Sequence, residues 1–298
     1  MPTRAQIRLL SDRHRLHMND GPIDLIVEAF GSLDQVRFAY DAASARFDHV
    51  LDELCAELTL LRRPPSRGQR PTGVIAQRMF DAVSRYFPQT FITPMAAVAG
   101  AVAEEILQVM TSAATLEKAY VNDGGDIAIH LGDAQQFVVG MVERPDRPSL
   151  FGTATIRADQ PIRGIATSGW RGRSFSLGIA DAVTVLGDTA SMADAAATLI
   201  ANAVDLPGHS SVERVRACDL APDNDLGERL VTQGVGPLSN DEIATALSAG
   251  EEFARSLLPR GLIRAAALHL QGQTRVVGDT LQLAMPTVFT SEKGLVHA

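Results

Sequence analysis

The chain has 298 residues, 46% of them hydrophobic and 21% charged, enough apolar material for a sizeable core. Its formal charge of −8 argues against a nucleic-acid scaffold and against a polybasic membrane anchor. Only two lysines occur, Lys118 and Lys293, so almost all cationic character is arginine, which suits phosphate or carboxylate clamping and is equally a product of codon bias.

The opening alternates polar and apolar residues around Arg15–Met18, and after the turn at 19–22 the run Ile23–Phe30 reads as a second strand. From Leu33 to Leu61 apolar residues recur at helical spacing (Phe38, Ala42, Phe47, Val50, Leu51, Leu54), predicting one long amphipathic helix. Cys55 falls within that pattern and is expected to be a small core residue. Neither it nor Cys218 has metal-type spacing, and no disulfide framework is implied. Residues 62–72 form an Arg/Pro-rich loop, either a solvated connector or a phosphate lid.

A second helix is expected over Val74–Tyr86 and a third after Pro94, running to Thr111. The front half of the third, from Met95 to Ala103, is almost all small residues, which permit close approach of another backbone or of a ligand. Short strands follow at 119–122, 127–131, 137–142, 154–156, 164–167 and 181–186. Helices are expected at 191–204 and 240–257, then a strand pair at 262–271 and 274–283 around Gly272. Helices packed on a largely antiparallel sheet make an α+β architecture, read as a single domain over 1–298. The start of the chain has no apolar core of a signal peptide, and no apolar run is long enough to span a bilayer, so the expectation is a cytoplasmic protein with no membrane or nucleic-acid partner.

Three segments carry possible chemistry. Asn122-Asp123-Gly124-Gly125-Asp126 sits at a strand-to-strand turn. It is either an ordinary hairpin or a place where glycine amides lie against a ligand and Asp126 reaches a ribose or ring edge. Thr167-Ser168-Gly169 is either a hydroxyl-capped turn or a set of donors aimed at an oxyanion. Asp194 and Thr198, four residues apart on a helix, present two hard oxygen donors on one face and suit Mg²⁺. The competing reading makes Ser191–Asp194 a capping box. A zinc site, a serine-hydrolase triad, a Walker loop and a strand-anchored GxGxxG are all missing from the sequence. His14 and His17 lie on a predicted strand that would turn them to opposite sides.

In this order and spacing the three segments resemble the ApbE family of flavin transferases, which cleave FAD with Mg²⁺ and attach FMN to a Thr or Ser of a target protein. The family's Asn-x-Gly-Gly-Asp-Ile turn, Thr-Ser-Gly segment and Ala-Asp-Ala-x-Ala-Thr helix correspond to 122–127, 167–169 and 193–198. Its Gly-Ala-Ile-Ala-Lys-Gly helix is matched by 96–101. The resemblance covers about 94–204. It implies an ApbE-like (T-fold-like) fold and a flavin or nucleotide site of Asn122, Gly124, Gly125, Asp126, Thr167, Ser168 and Gly169. It also implies Mg²⁺ held by Asp194, Thr198 and the Ala99 carbonyl, with FAD as donor.

The chain departs from the pattern at several places. Gly100 replaces the lysine of the small-residue helix, and the His-Ile-Ile-Asp-Pro segment gives way to Ser174–Asp181. There is no counterpart of the N-terminal flavin-gripping segment or of the exported members' lipoprotein cysteine. The readings that stay open are Mg²⁺-dependent FMN transfer or FAD pyrophosphate cleavage, binding of a flavin or small anion without catalysis, and an assembly subunit, with a homo-oligomer among the options.

Overall fold

The structure, a computed structural model, describes residues 4–66, 68–142, 150–278 and 295–297. In chain order its elements are β1 (Gln6–Leu9), β2 (Leu16–Asp20), β3 (Ile23–Phe30), α1 (Leu33–Ala56), α2 (Leu58–Leu61), α3 (Val74–Ser84), a 3₁₀ turn (Pro94–Ala97) and α4 (Val98–Ala113). Then come β4 (Lys118–Asp123), β5 (Asp126–Leu131), β6 (Gln136–Val142), β7 (Leu150–Arg157), β8 (Gly164–Ser168), β9 (Ala182–Gly187) and α5 (Ala190–Ala203). The last group is β10 (Val212–Arg216), α6 (Ala217–Leu220), β11 (Leu230–Val235), α7 (Asn240–Leu257), β12 (Ala265–Leu270), β13 (Gln273–Val277) and β14 (Leu295–His297).

Nine strands form one sheet in the order β1-β2-β3-β4-β5-β8-β9-β12-β13, with every neighbouring pair antiparallel. Period-2 alternation decides which side chains face which layer. Met18, Leu25, Val27, Val121, Ala128, Ala166, Val183 and Val185 belong to the core shared with the helices. Ile127, Ile129, Ile165, Leu186 and Ala267 turn to the opposite face and pack on Phe137, Val139, Met141 and Ile156 of a small second sheet, β14-β6-β7. The architecture is therefore α+β, with the helical layer on one face as expected and a β layer on the other.

Several sequence expectations need correction. The predicted helix 33–61 breaks at Glu57 (φ −111, ψ 10), whose carboxylate accepts from the Thr72 and Gly73 N–H groups at 2.7 and 3.0 Å ahead of α3. An anion suits a helix start, so Glu57 serves α3 rather than continuing α1. The buried stripe of α1 is Ala39, Ala43, Phe47, Val50 and Leu54. Phe38 and Ala42 lie one position off it, and Phe38 is half exposed. Cys55 is exposed, not core: it follows the buried Leu54 by one residue, a rotation of about 100° away from the packed stripe. His14 lies in the turn before β2 rather than on the strand.

The short edge strand β1 and the β10–β11 hairpin were not anticipated, their residues being mostly exposed and lacking a clean apolar alternation. Arg67 of the 62–72 loop and residues 279–283 of the last predicted strand lie outside the described residues.

Candidate functional site

The hairpin β4–β5 closes through two residues, with Asp123 opposite Asp126. Gly124 (φ 65) and Gly125 (φ 115) both sit at positive φ, the conformation a two-residue turn matched to strand twist demands. The Asn122 side chain braces the turn, its Oδ1 accepting from Gly125 N at 2.8 Å. Because Asp123 and Asp126 form a cross-strand pair, both carboxylates lie on one face, the helical one.

Above that face α4 and α5 begin close together. The backbone of α4 at Gly100 meets that of α5 at Ala190 and Ser191, and a Cβ built on Gly100 would collide with the Ala190 carbonyl. Gly100 is thus spent on packing within this chain. The two helices also cap one another: Glu104 Oε1 of α4 accepts from Ser191 N at 2.6 Å, and Asp194 Oδ2 of α5 accepts from Gly100 N at 3.0 Å.

This resolves the capping alternative. The N-cap of α5 is Thr189, whose hydroxyl accepts from Met192 N at 3.3 Å, so Ser191–Asp194 is not a capping box. Asp194 lies further along, and its carboxylate crosses to the first turn of α4, which has no side-chain cap of its own at Ala97.

A cleft of about 350 Å³ opens between these elements. Ala99, Gly124, Gly125, Asp126, Thr167, Ser168, Gly169, Asp194 and Thr198 all line it, joined by Gly172, Arg173, Ser174 and Asp181. The structure thus gathers every candidate site residue expected from the sequence except Asn122, which stands behind the turn it braces. Thr167 contributes through its backbone, its N–H donating to Asp126 Oδ1 at 3.3 Å, while its hydroxyl is paired at 2.9 Å with that of buried Thr184. Thr198 makes no side-chain hydrogen bond among the described residues.

The electrostatics are dominated by carboxylates. Burial pushes the Asp194 carboxyl up to about 8, against the Gly100 and Ala99 N–H groups that hold the ionised form, with Asp123 and Glu104 adding repulsion. Crowding by protein raises Asp126 well above the usual carboxylate range, Asp194 and Asp123 contributing further. Burial lifts Asp123 to about 7, with Arg173 opposing. Three neighbouring acids that resist ionisation amount to an unmet demand for positive charge.

Among the described residues no group of three or more His, Cys, Asp or Glu side chains is arranged to hold a metal. A mixed set of one carboxylate, one hydroxyl and one carbonyl nonetheless has the hard-oxygen character Mg²⁺ takes when it keeps water or substrate phosphate as further ligands. The donor set, and the relief that a cation would give to the crowded acids, fit such an ion.

One wall is a loop built by Asp181. Its Oδ1 accepts from Trp170 Nε1 at 3.1 Å and Arg171 Nε at 2.8 Å, and its Oδ2 from Gln271 N at 2.7 Å. Arg171 also stacks on the Trp170 ring, 4.2 Å from its centroid.

Asp181, Arg173, Ser174 and Asp123 were not anticipated from sequence. Signals were present: Arg171-Gly172-Arg173 follows the Thr-Ser-Gly segment after Trp170, and a two-residue hairpin loop places Asp123 on the same face as Asp126. The described residues of the 62–72 loop do not line the cleft, and Arg70 is paired with Asp81 at 2.6 Å.

A family model described as AbpE bacteria matches residues 7–276. The UPF0280 protein of Methanopyrus kandleri is 40% identical over 111 residues, covering 37% of this chain and 43% of that protein. That of Methanococcoides burtonii is 41% identical over 123 residues, covering 41% and 50%. These matches span about half of each relative's length. The UPF0280 protein of Methanobrevibacter smithii is 32% identical over 190 residues, covering 63% of this chain and 75% of the relative. The crystal structure of Pseudomonas stutzeri flavinyl transferase ApbE in its apo form superimposes with a TM-score of 0.42 and 10% identity, over 93% of this chain and 95% of that one. No helix among the described residues is long and apolar enough to cross a membrane.

Proposed function

The chain belongs to the family described as AbpE bacteria, and from that premise we propose that its cleft binds a flavin nucleotide together with Mg²⁺. One observation carries the reading: residues from four separate segments, chosen from the sequence as flavin and metal residues, line a single concavity around a cluster of acids. Asp194, Thr198 and the Ala99 carbonyl would hold the cation, which supplies neutralisation of phosphate charge when bound. Gly124 and Gly125 let a ligand approach the backbone where a side chain would intrude. Asp126 is fixed by the Thr167 N–H, and Ser168 offers a hydroxyl at the end of β8.

The catalytic version has FAD as substrate: the pyrophosphate is cleaved and FMN passes to a hydroxyl of an acceptor protein. The test is incubation of purified protein with FAD and Mg²⁺, with separation of AMP and FMN and Asp194→Ala as control. AMP release that needs both Mg²⁺ and Asp194 supports catalysis.

A second reading, binding without chemistry, is favoured by a specific feature. Both oxygens of Asp181 are committed to Trp170, Arg171 and Gln271, and no histidine lines the cleft, so outside the buried acids no free base faces a reacting group. Intact FAD bound with a raised melting temperature supports this version. If neither FAD nor FMN shifts the melting temperature in the presence of Mg²⁺, both versions fail.

A further inference from the structure

The cleft contains one cation that has been given no task. Arg173 has a side chain 63% exposed, and its ion pair among the described residues is a long one, Nη2 to Asp123 Oδ1 at 3.6 Å. Charge-assisted bonds between guanidinium and carboxylate close to about 2.8 Å when they are made well, so this pairing leaves the donor fork unused. The neighbouring Arg171 bonds Asp181 through its Nε and stacks on Trp170, which anchors the loop, while Arg173 lines the cleft.

The guanidinium lies across the glycine bend: a Cβ built on Gly124 would collide with its Nη2. Asp126, on the same bend, lines the cleft together with Asp194 and Arg173. A group placed there meets positive charge from two directions once the cation is bound. Planar bidentate recognition of phosphate is what arginine offers and lysine does not.

We propose that Arg173 is the phosphate-recognising residue of the cleft, exchanging its long contact with Asp123 for a bidentate bond to a phosphate of the ligand. The inference rests on the nucleotide reading of the cleft and narrows it: the ligand is selected by its phosphate, and Gly124 keeps the guanidinium seated over the turn.

The test uses FMN and riboflavin, which differ by one phosphate, titrated with Mg²⁺ against wild type, Arg173→Gln, Arg173→Lys and Gly124→Ala. Hydrogen bonds to charged groups make Arg173→Gln about 10- to 100-fold weaker for FMN and leave riboflavin unchanged. Arg173→Lys recovers part of the loss, and Gly124→Ala weakens FMN by displacing the guanidinium. Stabilisation of Arg173→Gln by Mg²⁺ alone stays at the wild-type level.

If Arg173→Gln binds FMN as wild type does, the assignment falls while the nucleotide reading stands. Equal losses for FMN and riboflavin also overturn it, because Arg173 is then merely structural. Should wild type bind neither flavin in Mg²⁺, the nucleotide reading falls and takes this inference with it.

Discussion

Replacing Asp194 with Asn separates the two jobs of that side chain. Asparagine keeps an acceptor for the Gly100 N–H, now at 3.0 Å, and removes the charge that burial disfavours. The folded carboxyl titrates at about 8 against an ordinary 3.8. Each tenfold change in that protonation equilibrium is worth about 1.4 kcal/mol.

Asp194 does not titrate alone. Asp126 takes up part of the same repulsion, and removing a partner from a buried polar group ordinarily costs about 1–3 kcal/mol. The sign follows from the direction of the shift. A folded pKa above the unfolded value gives stability that is complete below about pH 4 and is lost as the pH climbs toward 8. The asparagine variant has no such loss.

In EDTA, the advantage of Asp194→Asn over wild type should therefore widen by about 2 kcal/mol between about pH 5 and about pH 9. Mg²⁺ acts in the opposite sense: it stabilises wild type more strongly as the pH rises, because the carboxylate must shed its proton to bind, and leaves the variant unmoved. Urea unfolding at the two pH values, with EDTA or millimolar Mg²⁺, measures both effects. A variant whose deficit or advantage is the same at both pH values would falsify the claim that this charge is strained. A variant that Mg²⁺ stabilises as much as wild type removes Asp194 from the ligand set.

Other substitutions probe the supporting structure. Gly100→Ala sets a methyl group against the backbone of Ala190 and Ser191, which cannot swing aside, so it should cost about 3 kcal/mol in urea unfolding; a loss under about 1 kcal/mol would mean that the helices are not in such close contact. Thr167→Val strands the buried Thr184 hydroxyl and should lower stability by about 1–2 kcal/mol while flavin-nucleotide affinity holds. A loss of affinity of about tenfold or more in that variant would show that the Thr167 hydroxyl faces the ligand after all. Asp181→Ala removes the shared acceptor of Trp170, Arg171 and the Gln271 amide. Trp170 is the sole tryptophan, so its emission should shift to the red and flavin binding should weaken; unchanged emission means that the loop holds without Asp181.

Much of the site was legible because its parts are local. A double glycine between alternating strands can only be a tight turn, and Asp194 and Thr198 share a helix face by spacing alone. The face of α1 was read one residue out at Phe38 and Ala42, since hydrophobicity shows that a stripe exists while the neighbouring layer decides which edge of it is covered. The capping reading failed for a related reason. Ser191 and Asp194 have the right types at the right interval, yet Thr189 lies earlier and takes the cap, leaving Asp194 to a helix ninety-four residues away in sequence from its acceptor bond.

The amino-acid sequence by itself determined the α+β pattern, the hairpin with its paired glycines, the small-residue start of α4 and the carboxylate–hydroxyl spacing of α5, because each follows from the conformational limits and periodicity of neighbouring residues. Tertiary structure alone decided that these pieces face one cleft, that Asn122 stands outside it, and that the Thr167 hydroxyl points to Thr184. It also raised the carboxyls of Asp123, Asp126 and Asp194 above their ordinary range. Their carboxyls rise only because distant segments exclude water from them together, and desolvation and repulsion depend on distances in space that spacing along the chain does not contain.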